Sequence, residues 1–182
     1  SVTDPLTGLY NRRYALPYLD RMAARARDTG RAFAVMLLDL DHFKEVNDGW
    51  GHAAGDAVLA EVAGRLRDNM RGVDLVARIG GEEFLIAMPD ATLAEAEIAA
   101  ERLRRVTETR PVRLPGGKGK ITVTLSIGLA LGEPGVTSAD VLMEQADNAL
   151  LRAKAAGRNR VVVGGLRVAV RPRPRAVRAA KG

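Results

Sequence analysis

The chain has 182 residues, 47% hydrophobic and 27% charged, proportions that suit one soluble globular domain and leave little room for two. No apolar run nears the ~18 residues of a membrane helix, and Ser1-Val2-Thr3-Asp4-Pro5 has no charged-then-apolar leader pattern. The absence of Cys excludes disulfides, thiolate metal sites and a cysteine nucleophile, so a cytoplasmic setting is expected. The net charge of +6 suggests nucleic acid until it is located: Arg167, Arg171, Arg173, Arg175, Arg178 and Lys181 carry all of it, leaving residues 1–163 neutral. Residues 164–182 are therefore expected to be a basic, Pro- and Arg-rich disordered tail, and nucleic acid is not expected as a partner of residues 1–163.

Asn11 as N-cap opens a helix over Arg12 to Asp28, with Pro17 near its start and Thr29-Gly30 at its end. Ala32 to Leu38 is an unbroken apolar run bounded by Gly30 and Asp39, the pattern of a strand buried on both faces in mid-sheet. A loop through Asn47-Asp48-Gly49-Trp50-Gly51-His52 leads to a second helix, on which Ala54, Val58, Leu59, Val62, Ala63, Leu66 and Met70 recur at helical spacing. Leu75 to Ile79 and Phe84 to Met88 read as a hairpin with Gly80-Gly81-Glu82-Glu83 at its tip. A helix follows over Leu93 to Val106, then a loop at Pro115-Gly116-Gly117 and an alternating strand over Ile121 to Ile127. Val141 to Ala155 is a last helix, and Val161 to Val163 an edge strand. The order is α+β, a ferredoxin-like, palm-type βαββαβ core with helices flanking the sheet.

Three acids stand out by position: Asp39 at the end of the apolar strand and Glu82 and Glu83 in the hairpin tip. In a split βαβ sheet the tip lies beside the end of the first strand. Acids gathered there resist joint ionisation unless a cation neutralises them, and oxygen ligands without His or Cys suit Mg²⁺ or Mn²⁺. Two such ions would clamp a phosphoryl transfer. The following loop adds Lys44 and the backbone N–H groups of Asp41 to Lys44 for phosphate, and Asn47 with Asp56 for a base. A carboxylate accepts the paired N–H donors of guanine while an amide donates to its O6, so this pair favours guanine over adenine.

Gly80-Gly81-Glu82-Glu83-Phe84 resembles the signature of GGDEF-domain diguanylate cyclases. Asp4-Pro5-Leu6-Thr7-Gly8-Leu9-Tyr10-Asn11-Arg12-Arg13, Asp39-Leu40-Asp41-His42-Phe43-Lys44, Asn47-Asp48-Gly49-Trp50-Gly51-His52 and Ala155-Ala156-Gly157-Arg158-Asn159 match its other blocks in order. Glu82 stands where the family name has Asp, which keeps the carboxylate. The resemblance implies a nucleotidyl cyclase-like fold and condensation of two GTP into cyclic di-GMP with release of two pyrophosphates. It implies Asp39, the Leu40 carbonyl and Glu82 as ligands of Mg²⁺ (or Mn²⁺), with Glu83 at a second ion. Glu82 is also implied as acceptor of the ribose 3′-hydroxyl proton and Lys44 as stabiliser of phosphate charge. Asn47 and Asp56 would read guanine, and Phe43, His52, Lys154 and Arg158 would complete the substrate site. Because the product is a two-fold ring, two domains must face each other as an antiparallel homodimer. Arg71-Gly72-Val73-Asp74 resembles the family's product-inhibition motif, with Arg102 a third contributor and Arg25 the arginine supplied by a partner domain. Family members usually carry a sensor or receiver domain ahead of the Asp4 block, so the chain is expected to be a catalytic fragment.

Overall fold

The computed structural model describes residues 1–133 and 138–165. The basic tail from Leu166 onward lies outside the described residues.

Asn11 caps the first helix as expected: its Oδ1 accepts from the Tyr14 N–H at 3.2 Å, and α1 (Arg12–Thr29) runs through Pro17 to Gly30, whose N–H donates to the Ala26 carbonyl. The apolar run becomes β2 (Phe33–Leu40), buried at all eight positions because it lies inside the sheet. The segment expected as a loop is partly helical, as α2 (Phe43–Trp50) before α3 (His52–Asp68). Phe43 and Val46 bury one face of α2 and outweigh the weak propensity of Asn47-Asp48-Gly49. The hairpin forms from β3 (Leu75–Arg78) and β4 (Glu83–Pro89), and α4 (Leu93–Thr109) follows with Thr92 as N-cap.

The alternating strand expected over Ile121 to Ile127 is displaced. Its first residue, Ile121, belongs to a two-stranded ribbon, β5 (Val112–Arg113) with β6 (Lys120–Ile121), and the long strand β7 spans Leu125–Gly132. Gly128 and Gly132 sit inside β7 where the next helix, α5 (Ala139–Ala155), presses on the sheet. A Cβ on Gly128 would lie 2.1 Å from the Ala146 carbonyl oxygen. The chain then forms β8 (Arg160–Val163), and pairing with β7 continues one residue further than expected through Gly164 N–H to the Leu129 carbonyl, at 2.7 Å.

The six-stranded sheet has the order β1-β3-β4-β2-β7-β8, where β1 (Tyr10–Asn11) is an edge strand absent from the sequence reading. Its inner four strands have the order of the split βαβ core, with β2 antiparallel to both neighbours. The result is a mixed sheet with helices on both faces, as expected. Alternate residues of β2 divide the core: Ala34, Met36, Leu38 and Leu40 pack with α3 and α4, and Phe33, Val35 and Leu37 with α1 and α5. Among the described residues no helix is long and apolar enough to cross a membrane.

Candidate active site

The C-terminal end of β2 organises the site. Asp39 is opposite Glu83 on β4 and opposite Ser126 on β7, and the Leu40 N–H donates to the Glu82 carbonyl at 3.2 Å. Asp39, Leu40, Phe43, Lys44, Glu82, Lys154 and Arg158 line one open pocket of about 180 Å³. Glu83 does not line this pocket; it borders a neighbouring cavity between α1 and α5. Among the described residues no three His, Cys, Asp or Glu side chains converge as a metal-binding group.

Asp39 is 6% exposed, and burial lifts its pKa above the ordinary carboxylate range although the Lys154 ammonium, 2.8 Å from its Oδ2, pulls the other way. Burial also raises Glu82, and the Asp39 charge adds to the rise. Within the pocket Asp39 and Glu82 repel each other, and Lys154 draws on both while Arg158 acts on Asp39.

On the other side of the β2–α2 turn, Phe43 is the buried first residue of α2 and Lys44 is exposed, its Nζ 2.9 Å from Asp48 Oδ2. Asn47, near the end of α2, lies over Gly55 of α3. A Cβ on Gly55 would be 1.9 Å from Asn47 Oδ1 and 3.2 Å from Phe43 Cζ, so only glycine leaves room for the amide. Asn47 Oδ1 is the one buried side-chain polar atom without a hydrogen-bond partner among the described residues. Asp56, expected at a helix start, is the fifth residue of α3, exposed, next in sequence to Gly55 and beyond the first turn that a helix cap serves. His52 is the exposed first residue of α3, whose N-cap Gly51 offers no side-chain bond.

Sequence reasoning missed the residues that hold these parts in place. Asp41, 4% exposed, accepts from Thr124 Oγ at 2.7 Å, Ser126 Oγ at 2.6 Å and the Asn159 N–H at 3.0 Å. Asn159 in turn accepts from Arg104 and donates to Glu108, both on α4. Glu101 and Glu108 raise the Arg104 pKa, so it stays charged. Arg158 and Asn159 have φ of 62° and 46°, and His42 before α2 has 57°, so three non-glycine residues around the pocket hold left-handed backbone. The only advance signal was the second carboxylate of Asp39-Leu40-Asp41, paired at a distance with the alternating Thr124 and Ser126.

A sequence model of the family described as diguanylate cyclase, GGDEF domain, matches residues 1–160. The chain belongs to that family. PleD, a response regulator of Caulobacter vibrioides, is 44% identical to this GGDEF domain over 162 residues, which are 89% of this chain and 36% of PleD. The chain thus spans about a third of that curated relative. The GGDEF domain of DgcB from Caulobacter crescentus, solved in complex with c-di-GMP, matches with a TM-score of 0.86 at 36% identity, covering 89% of this chain and 92% of that one. An active GGEEF domain of a diguanylate cyclase from Vibrio cholerae matches with a TM-score of 0.78 at 27% identity, covering 86% and 98%.

The GGDEF domain carries its Arg-x-x-Asp segment at the far end of the sheet. Arg71 contacts Asp74 through its backbone N–H at 2.7 Å and its guanidinium at 2.8 Å, and donates to the Pro89 carbonyl at 3.0 Å. The Asp74 side chain is covered by its contacts with Arg71, which it holds in place and whose pKa it raises. Arg102 of α4 donates to the Asn69 carbonyl at 2.7 Å, two residues before Arg71, and Arg25 of α1 lies 3.7 Å from Asp90, next to Pro89. Arg25, Arg71 and Arg102 therefore surround the same sheet end within one chain. Glu82 lies past the opposite end of β4, ~20 Å away along the strand.

Proposed function

We propose that this GGDEF domain condenses two molecules of GTP into cyclic di-GMP, releasing two pyrophosphates. The observation that carries the proposal is the single pocket in which Asp39 and Glu82, both held above the usual carboxylate range, face Lys154 and Arg158 beside the Asn47–Gly55 cradle. The active GGEEF domain of the Vibrio cholerae enzyme has the same signature, Gly-Gly-Glu-Glu-Phe, as residues 80–84.

Asn47 presents its amide N–H groups outward to guanine O6 while Oδ1 stays inside, and Asp56 accepts the guanine N–H donors. Phe43 supports the amide from below. Lys44, Lys154, Arg158 and the first-turn N–H groups of α2 meet the phosphates, and His52 stands at the substrate edge. The donors Asp39, the Leu40 carbonyl and Glu82, with Glu83 one residue on, are all hard oxygens that suit Mg²⁺ or Mn²⁺, and the mutual repulsion of Asp39 and Glu82 is what a cation relieves. When bound, the ions supply polarisation of the phosphoryl oxygens. Glu82 takes the proton of a ribose 3′-hydroxyl; the 3′-oxygen bonds to the α-phosphorus of the facing GTP as the bond to pyrophosphate breaks. Two such steps close the ring, so two domains act as an antiparallel homodimer.

Binding of c-di-GMP by the DgcB domain supports product binding here too, at Arg71 and Arg102 with Arg25 of a second domain, Asp74 serving to hold Arg71. The similarity to a response regulator supports a regulatory domain upstream and a cytoplasmic setting, where GTP is abundant. Incubation with GTP and Mg²⁺, with mass identification of the products, tests the function. Cyclic di-GMP with two pyrophosphates is expected, and GTP bound but unchanged, or hydrolysed to GDP, contradicts it.

A further inference from the structure

Between the N-terminus of α1 and the middle of α5 lies a cavity of about 390 Å³, larger than the pocket at Asp39. Its walls include the apolar Leu37, Ile79, Phe84, Met143 and Leu150. Its charged groups are Glu83, Glu144 and Asp147 against a single Arg12, and none of these side chains makes a hydrogen bond or ion pair with a described residue. An apolar cavity with an excess of unmatched carboxylates suits an occupant with both apolar and cationic side chains.

We propose that the occupant is this chain's own C-terminal segment, residues 166–182. The segment has six positive charges and no acid, with Leu166, Val168, Val170 and Val177 among them. The chain leaves the sheet at the right place. Gly164 is held on β7, and both Gly164 and Gly165 press on Gln145 of α5, the neighbour of Glu144; a Cβ on Gly164 would be 2.4 Å from the Gln145 carbonyl oxygen. A helix is ~10 Å across, so about four or five extended residues suffice to cross α5. Beyond that crossing, Arg171 and Arg173 come within reach of the exposed Glu144 and Asp147. Pro172 and Pro174 reduce the conformational freedom lost on docking. The pocket at Asp39 already has Lys154 and Arg158 against its acids, and the surface around Arg71, Arg67 and Arg102 repels a basic segment, so neither competes.

The chain has no Cys, so Ala176→Cys allows a single nitroxide label on the full chain. Amide signals of residues 143–150 and of Arg12 should lose roughly half their intensity or more at low salt and recover at ~0.5 M salt, where screening is short-ranged. They should also recover in the Glu144→Gln/Asp147→Asn variant, whose exposed positions leave the core untouched. No broadening, broadening centred on another surface, or broadening that survives neutralisation of Glu144 and Asp147 overturns the proposal. So does broadening seen only between labelled and isotope-marked copies in a mixed sample, which makes the contact intermolecular. None of these readouts depends on turnover, so failure here leaves the proposed reaction standing.

Discussion

Among the described residues Asp56 caps nothing and has no hydrogen-bond or ion-pair partner, and it lies beside the glycine that seats Asn47. If it accepts guanine N–H donors, Asp56→Asn turns one acceptor toward them into a donor. GTP affinity should then weaken by about 1–3 kcal/mol, roughly 5- to 150-fold. Calorimetry with GTP on both proteins measures this, and equal affinity would remove Asp56 from the base site. Asp4 shows a different use of a carboxylate. Burial alone would raise its pKa, but the Thr7 hydroxyl at 2.7 Å, the Thr7 N–H and the Arg78 guanidinium at 3.2 Å hold it below the ordinary value. A depressed folded-state pKa gives stability that is present above the unfolded value near ~4 and is lost as the pH falls through the folded one. Asp4→Asn should therefore unfold at lower urea than the parent protein at pH 7, and the difference should shrink toward pH 3. A difference unchanged between the two pH values would show that the charge of Asp4 plays no part.

The helix α5 reaches the active site because β7 lets it come close. Gly128→Ala would put a methyl 2.1 Å from the Ala146 carbonyl oxygen and 2.5 Å from the Leu150 nitrogen, both backbone atoms with little freedom to yield. Overpacking of this kind costs about 1–3 kcal/mol, read as a lowered midpoint in denaturant, and Lys154 should lose its place at Asp39. An unchanged midpoint would mean that α5 shifts freely on the sheet. The same glycines explain where the sequence was hard to read. The strand expected to end at Ile127 runs on through Gly128 and Gly132, whose role is close approach by a helix. The all-apolar β2 and the Asn11-capped α1 were legible because burial and capping are written in consecutive residues. The short α2 was not, since its stability comes from Phe43 and Val46 meeting a distant core. The β1 and β5–β6 pairs were missed because two-residue strands carry no periodicity. At the site, the individual acids and the Asn47 amide were legible, but the bonds from Asp41 to Thr124, Ser126 and Asn159 span up to 118 positions and exist only in the fold.

Across the whole molecule, the sheet separates the Arg71 cluster from the pocket at Asp39. Arg71, Arg102 and Arg25 gather at the Pro89 end, while Asp39 and Glu82 lie at the other. Product bound at the first end and shared with a second domain would keep half-sites apart without occupying the second, so inhibition by cyclic di-GMP should be non-competitive with GTP. Arg71→Ala removes a charge-assisted phosphate contact of ~1.5–3 kcal/mol and should weaken the inhibition constant by roughly tenfold or more. Initial rates against added cyclic di-GMP at several GTP concentrations decide this; competitive inhibition, or an unchanged constant in the variant, would contradict it. The catalytic claim itself rests on Glu82, which the hairpin places in the pocket with Asp39 and outside the hydrophobic core. Replacing it with Gln keeps the shape, removes the proton acceptor and weakens a cation ligand, so the loss should fall on the transition state. The most direct measurement is the steady-state rate of cyclic di-GMP formation by the Glu82→Gln variant beside the parent protein. A fall in kcat and kcat/KM together of roughly 10²-fold or more is expected, with a thermal midpoint no lower than the parent's because the repulsion with Asp39 is removed, and parent-like turnover would overturn the assignment.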